Sequence, residues 1–474
     1  MNAPIARLFV VVVVLFAVLV GFTSRWTVFD ANALRDNPKN HRELIEEQQI
    51  RRGLIRAGDD SVLARSLRQP DKSYVRTYPT GRLFSHAVGY SFVRQGRAGL
   101  ERFYDDDLSG RSGELGSLLD RLSGSEQQGD NLVTTLDPAA QRVALQQLGG
   151  RKGAVVALDP RTGAIRVMAS VPGYDPNTVK DQQQFTALNR NQDAPLLNRN
   201  TQAGYPPGST FKVVTAIAAI DSGRYTPDSR ISGRNGKRIS GVPLNNDQGE
   251  SFGDITLTEA LTKSVNTVFG EIGEKLGKAT MKKYMDRLGF GAPVEVDLPR
   301  DERAASGERQ RGRIIAATNG AVDVGRMAIG QDKLTVTPLQ MAMVASAVAN
   351  GGKLMKPHIA DRVVDRDGRT VRRINPGEMS QVMSADTASQ VGAMMDQVVK
   401  EGTGTAAALE GIDVAGKTGT AEVGHNCPNQ LWFIAFAPAQ DPRVAIAVTV
   451  ECGTGFGGTV AAPIAKAVMQ ELLK

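Results

Sequence analysis

The pattern of apolar and polar positions divides the chain into stretches of different character. Leu8 to Phe22 is an uncharged run, LFVVVVVLFAVLVGF, held between Arg7 and Arg25. Extended through Thr23 and Ser24 it reaches 17 residues, the short end of what spans a bilayer as a helix. Much further on, the runs AVVALD and AIRVMASV, between Ala154 and Val171, flank Pro160-Arg161-Thr162-Gly163. Turn residues between β-rich runs predict a hairpin. The pattern returns near the C-terminus, where Leu431 to Ala437 and Val444 to Glu451 are joined by Pro438 to Pro442. Helical periodicity covers Thr210–Ile220, Leu257–Leu276, Thr337–Asn350 and Asp386–Lys400 in between. Strands at both ends and helices in the middle predict an α+β domain, one antiparallel sheet packed against a helical cluster.

Upstream the pattern is looser. Residues 25–66 are charged and helix-permissive, and residues 67–130 are rich in Gly, Arg, Asp and Ser with short strand-like pieces such as Ser73 to Tyr78. The composition shifts near Asn131. The expected organisation is therefore a cytoplasmic tip and anchor over 1–24, an extended α+β module over 25–130, and a larger domain over 131–474. A cleaved signal peptide is the alternative for the first segment, but VGFTSRW offers a poor cleavage site, so an uncleaved anchor is expected. Arg7 and the terminal amine would hold the N-terminus in the cytoplasm, which puts everything after residue 25 outside.

Charge adds little. The formal net charge is +7 over 474 residues, with Lys and Arg scattered and aromatics at 5%. A nucleic-acid surface would gather its cations into a stripe, so no nucleic-acid partner is expected. His41, His86, His358 and His425 are dispersed, and neither a metal site nor a cofactor is expected.

The chemistry lies at the start of one helix. Tyr205-Pro206-Pro207-Gly208 forces an extended entry, Ser209 suits an N-cap or first turn, and the apolar residues from Val213 to Ile220 cover every face, as in a buried helix. Ser209 and Lys212 are three apart and share a face. A serine hydroxyl needs a neighbouring base to become a nucleophile, and desolvation beside the positive end of the helix dipole favours neutral lysine. Alone, the pair reads as easily as a helix cap and a lysine reaching for water. Yet Ser264-Val265-Asn266 follows within the predicted helix after Asp254, and Lys417-Thr418-Gly419-Thr420 follows just before the last strands. S-x-x-K, S-x-N and K-[ST]-G each occur once, in this order, and belong to serine acyl-transferases acting on penicillin and D-Ala-D-Ala.

On YPPGSTFK at Tyr205–Lys212, KSVN at Lys263–Asn266 and GKTGTAE at Gly416–Glu422, the chain resembles a class B penicillin-binding protein, most nearly the short penicillin-binding protein A type of actinobacteria. NRNTQ at Asn198–Gln202, EGTGTA at Glu401–Ala406 and WFIAFAP at Trp432–Pro438 are similar too. The resemblance runs from about Asn131 to the end. Upstream it rests on Arg52-Gly53, Leu63-Ala64 and Gly99-Leu100-Glu101, which look like the family's pedestal module. It implies the transpeptidase fold shared with serine β-lactamases and a D,D-transpeptidase that cross-links peptidoglycan stem peptides and is acylated by β-lactams. By the same resemblance, Ser209 would be the nucleophile, Lys212 its base and Ser264 a proton relay. Asn266 would bind the stem-peptide amide, and Lys417 would set the electrostatics of the cleft. Thr418 and Thr420, flanking Gly419, would bind the terminal carboxylate, with the amides of Ser209 and Thr420 as the oxyanion hole. A membrane glycan polymerase is the partner implied by analogy.

Rival functions follow from the same motifs. A D,D-carboxypeptidase differs only in giving the acyl group to water. A β-lactamase would need a dedicated deacylating base, a sensor several spans, and a scaffold pseudo-enzyme a lost motif residue. Roughly 105 residues between anchor and Asn131 are too few for a glycosyltransferase domain. Finally, a hairpin centred near Gln440 would bring Cys427 and Cys452, the two cysteines of the chain, almost face to face beyond the strand ends. Opposed strand residues sit about 4.5–5.5 Å apart at Cα, which a disulfide accepts. Such a bond is expected, as a clamp on the loop after Lys417-Thr418-Gly419.

Overall fold

A computed structural model describes residues 3–25, 48–111, 128–424 and 427–474. Its centre is a five-stranded antiparallel sheet formed by Gly153–Leu158 (β1), Ile165–Val171 (β2), Ala415–Gly424 (β3), Cys427–Ala437 (β4) and Val444–Gly453 (β5). The order is β3-β4-β5-β1-β2, so both predicted hairpins form, and β3 lies at an edge. Side chains alternate across a strand. Trp432, Ile434 and Phe436 accordingly enter one core layer, while Phe433, Ala435 and Ala437 enter another. The helix Pro338–Ala349 packs on the first face, and the helices Pro138–Leu148 and Gly457–Leu472 on the second. That second helical layer explains why these strands are continuously apolar rather than alternating.

The helix Lys212–Asp221 (α1) is buried from Lys212 to Ile220, as its all-round apolar sequence requires. The predicted helix over Leu257–Leu276 is instead two, Leu257–Thr262 (α2) and Asn266–Arg287 (α3), broken at Lys263–Val265. S-x-N therefore lies at a helix junction, not within a helix.

A second, six-stranded sheet carries the N-terminal module. Its order is Thr370–Arg373, Ala360–Val364, Asn131–Thr134, Ile55–Arg56, Val62–Arg68, Tyr74–Thr77. Two of its strands come from beyond residue 350, and the expected division at residues 130 and 131 runs through it. Residues 48–66, read as helix-permissive, are largely extended. Ile55 pairs with Leu132 and Ala64 with Ile55, so a partner strand more than seventy residues away overrides local helix propensity. The remainder of the helix-permissive stretch, and His41 and His425, lie outside the described residues.

Two of the loosely matching fragments of this module, Arg52-Gly53 and Gly99-Leu100-Glu101, meet in one ion cluster. Arg52 Nη2 and Arg76 Nε donate to the two oxygens of fully buried Glu101, at 3.0 and 2.5 Å, and Arg52 Nη1 reaches Asp105 at 2.6 Å. Burial pushes the Glu101 carboxyl up, but Arg76 and Arg52 outweigh that and hold it below the usual glutamate range. The helix Ala3–Ser24 is exposed throughout and is the one helix among the described residues long and apolar enough to cross a membrane.

The last hairpin forms about the expected centre, but its ladder is irregular near the cysteines. Ala437 opposes Val444 and Leu431 opposes Val450, which, continued without interruption, would set Cys427 against Thr454. A bulge intervenes between Leu431 and Asn429, where Asn429 opposes Gly453 and Cys452 adopts φ +50°. Cys427 and Cys452 form a disulfide with their Cα atoms 4.3 Å apart. The bond is present, but through a bulge rather than a straight ladder.

Glu101→Ala should cost about 3–5 kcal/mol, because it strands two buried guanidinium groups. Equilibrium denaturant unfolding of the detergent-solubilised chain measures this. The contribution is present above the glutamate's ordinary range and is lost as pH falls through its depressed folded value.

Candidate active site

The cleft lies where the start of α1, the α2–α3 junction and the edge strand β3 converge. Ser209 sits in a 3₁₀ turn, Gly208–Phe211, that runs into α1. It does not cap the helix, since no side chain caps this turn and Ser209 Oγ makes no hydrogen bond among the described residues. The hydroxyl is half-buried and free. Lys212, at the first position of α1, is fully buried instead of reaching for water.

The α2–α3 junction explains how Ser264 reaches the cleft. Ser264 N donates to Leu261 O and Val265 N to Ala260 O, closing α2 in the Schellman manner with Ser264 at φ +59°. Glycine is usual at that position, and a serine there costs on the order of 1 kcal/mol. The left-handed residue reverses the chain and turns both the Ser264 carbonyl and hydroxyl toward the lysines. Lys212 Nζ donates to Ser264 O at 2.6 Å and to Asn266 Oδ1 at 2.6 Å, with Ser264 Oγ at 3.3 Å. Lys417 Nζ, also fully buried, donates to Ser264 Oγ at 2.9 Å and Thr418 O at 3.0 Å.

Neither lysine has a carboxylate within ion-pair distance among the described residues. Burial lowers Lys212 well below the ordinary lysine value, and the Lys417 charge pushes it the same way. Burial lowers Lys417 to about 7. A neutral amine has two N–H donors and one lone pair. With Ser264 O and Asn266 Oδ1 taking the two hydrogens at short range, the Lys212 lone pair is left available.

The remaining expected residues lie on β3. Thr418 Oγ1 is 2.6 Å from Thr403 Oγ1, and Thr420 Oγ1 accepts from Gly457 N at 3.1 Å. Gly419 allows the strand to approach the serine turn, since a Cβ there would meet Pro207 O and the Thr210 methyl at 2.9 Å. All eight expected site residues are thus brought to one cleft. Asn266 is engaged at both ends, its Nδ2 donating to Asn245 O at 3.0 Å.

Several neighbours had no role assigned from the sequence. Asp247 is close enough to raise Lys212 slightly against the other two effects. Thr403 lay in the EGTGTA fragment without an assigned part. The Gly330 carbonyl fixes the serine turn from below: Gly208 N donates to Gly330 O at 3.0 Å, and a Cβ on Gly330 (φ +75°) would fall 2.0 Å from Gly208 O.

The fold and cleft define a serine acyl-transferase of the penicillin-binding class, and comparison with known proteins makes this specific. Residues 153–470 match the penicillin-binding protein transpeptidase domain, and residues 52–132 the penicillin-binding protein A dimerisation domain. The chain belongs to the penicillin-binding protein transpeptidase family. It is 34% identical over 500 residues to the peptidoglycan D,D-transpeptidase PbpA of Mycolicibacterium smegmatis, covering 100% of this chain and 99% of that one. It is likewise 34% identical over 503 residues to PbpA of Mycobacterium tuberculosis, with the same coverage. Among solved structures, penicillin-binding protein A from M. tuberculosis as a ceftriaxone acyl-enzyme complex superposes with TM-score 0.82 at 32% identity, over 91% of this chain and 100% of that chain. A D,D-transpeptidase domain from Eggerthella lenta gives 0.79 at 34% identity, over 90% and 98%.

Gly330→Ala should destabilise the protein by about 2 kcal/mol or more, because backbone must shift under the serine turn. Gly223→Ala should cost only about 1 kcal/mol. It too has a positive φ, +70°, but nothing within 4 Å of the added Cβ. Denaturant midpoints of the two variants compare overlap with backbone strain.

Proposed function

We propose that this chain is a membrane-anchored peptidoglycan D,D-transpeptidase acting through a Ser209 acyl-enzyme. The observation that carries the reading is the convergence of two buried lysines on Ser264 beside the free Ser209 hydroxyl, with no carboxylate paired to either lysine and no hydrogen bond to the hydroxyl among the described residues. Ser209 Oγ attacks the carbonyl carbon between the two terminal D-alanines while neutral Lys212 takes its proton. Ser264, hydrogen-bonded between the two amines, relays a proton to the departing D-alanine nitrogen. Lys417 supplies positive charge, Thr418 and Thr420 hold the terminal carboxylate, and Gly419 lets the strand close on the turn. The amides of Ser209 and Thr420 stabilise the oxyanion. Asn266 orients Lys212 through Oδ1, and it contacts the stem-peptide amide by releasing Asn245. An acceptor amine then takes the acyl group. A β-lactam enters by the same attack, but its leaving nitrogen stays tethered to the acyl group.

By this reading residues 1–24 form a cytoplasmic tip and single-pass anchor, residues 25–130 the pedestal and residues 131–474 the catalytic domain outside the cell. An anchor joined to a module matching the family's dimerisation domain supports a membrane glycan polymerase as partner. A D,D-carboxypeptidase is the competing outcome. Supplying a stem peptide with and without an amine acceptor separates them: cross-linked product supports the proposal, and hydrolysis alone in the presence of acceptor overturns it.

Ser209→Ala should abolish covalent labelling by a fluorescent penicillin and leave the melting temperature nearly unchanged, because its hydroxyl holds nothing in the fold. Lys212→Arg should lose acylation by orders of magnitude, whereas Lys417→Arg should retain more, since arginine keeps charge but is no base. Second-order acylation rates rank them. The Lys417 value of about 7 predicts the pH profile. As pH rises through it the ammonium loses its proton, so carboxylate-dependent acylation falls on the alkaline side, and that limb should vanish in Lys417→Arg.

A further inference from the structure

The seven residues from Glu451 to Gly457 link the two sides of the cleft. At one end, the Glu451 carboxylate accepts from Arg199 Nε at 2.7 Å and from the Tyr205 hydroxyl, and both Arg199 and Glu451 are largely withdrawn from solvent. Tyr205 begins the entry to Ser209. Its backbone exchanges two hydrogen bonds with Val336, its ring stands edge-on to Trp432, and the Trp432 indole fixes the next residue through Pro206 O at 2.9 Å. At the other end, Gly457 N donates to Thr420 Oγ1, and a Cβ on Gly457 would lie 2.2 Å from Trp432 O.

Between these ends the segment is tied at few points. Gly453 faces Asn429 at the end of the ladder, Gly455 is permissive, and Cys452, Thr454, Gly455 and Phe456 are exposed. Asn429 Nδ2 reaches Gly455 O at 3.3 Å. The covalent tie is the Cys427–Cys452 bond, at the bulge where Cys452 takes a left-handed conformation unusual for a side-chain-bearing residue.

We propose that the Cys427–Cys452 disulfide is a positioning device for acylation, holding the bulge so that Thr420 keeps its place on the carboxylate side of the cleft, while Glu451 is held on the serine side by Arg199 and Tyr205 whether or not the bond is closed. This rests on the reading of Ser209 as the acylated residue and Thr420 as a carboxylate ligand. Opening the bond with a dithiol reductant breaks S–S, gives each sulfur one electron and one proton, and releases the reductant as its cyclic disulfide. The freed segment then lets Gly457 move from Thr420 without unfolding the domain.

The test compares detergent-solubilised full-length protein in the oxidised state, after reduction by dithiothreitol with both thiols titrated, and as the Cys427→Ala/Cys452→Ala variant. Acylation rates are measured with benzylpenicillin and with its carboxylate methyl ester. Misplacing a binding group by about 1 Å can cost up to about a hundredfold. Reduction and the double variant should therefore slow benzylpenicillin about tenfold or more, leave the slow ester rate unchanged, and leave the melting temperature within the range of a folded domain. Glu451→Gln, which acts on the serine side, should slow acid and ester together. Benzylpenicillin rates that match the oxidised protein after both thiols are free would overturn the proposal. Equal losses for acid and ester on reduction would also overturn it, by making the bond merely structural. Failure of the oxidised protein to be acylated at all would instead defeat the underlying reading of Ser209.

Discussion

Two amines buried without a carboxylate partner are the constraint around which this cleft is built. An ammonium withdrawn from water is costly unless paired, and among the described residues Lys212 and Lys417 meet only neutral oxygens: carbonyls, an amide oxygen and hydroxyls. Burial therefore lowers both amines from the ordinary lysine range, Lys212 well below it and Lys417 to about 7. Separated protonation preferences of adjacent groups mark division of acid and base roles. That division depends on Ser264 presenting both its oxygens at once, which a residue inside a continuous helix could not do, because its carbonyl would be tied to the next turn.

Close backbone approach is the second requirement. The serine turn lies between the Gly330 loop and Gly419 on β3, and Gly457 lies under Trp432 O and Gly419 O. Each of these positions leaves no room for a side chain, so the nucleophile is located by main chain on two sides. Main-chain walls have few rotamers to lose, which suits a site that must present a hydroxyl to an extended peptide.

Much of this was legible in the sequence, for identifiable reasons. The β1–β2 and β4–β5 hairpins are local, and their turn residues announce them. Ser209-x-x-Lys212 and Lys417-Thr418-Gly419 carry chemistry at fixed spacing, so their place on a helix start and a strand could be read directly. The break at Ser264 could not, because Lys263-Ser264-Val265 contains neither glycine nor proline and continues an apolar period. Its left-handed residue is tolerated because Lys212 and Lys417 bind it, which is tertiary information. The extended conformation of residues 48–66 was hidden for a similar reason, as its partners are distant strands. The bulge at Glu451–Cys452 shifted the expected register without abolishing the disulfide.

The six-stranded sheet has a consequence for how the molecule comes to exist. Its inner strand Asn131–Thr134 is bonded on one side to Ile55–Arg56 and on the other to Ala360–Val364. During synthesis the N-terminal half of this sheet is complete long before residues 360–373 appear, and it waits with one edge unpaired. Unpaired edges recruit foreign strands, and contacts of high sequence separation form slowly. The last partner to be synthesised belongs to the same stretch of chain that builds the catalytic domain. The pedestal sheet is therefore complete only with strands from the stretch of chain that also builds the enzyme.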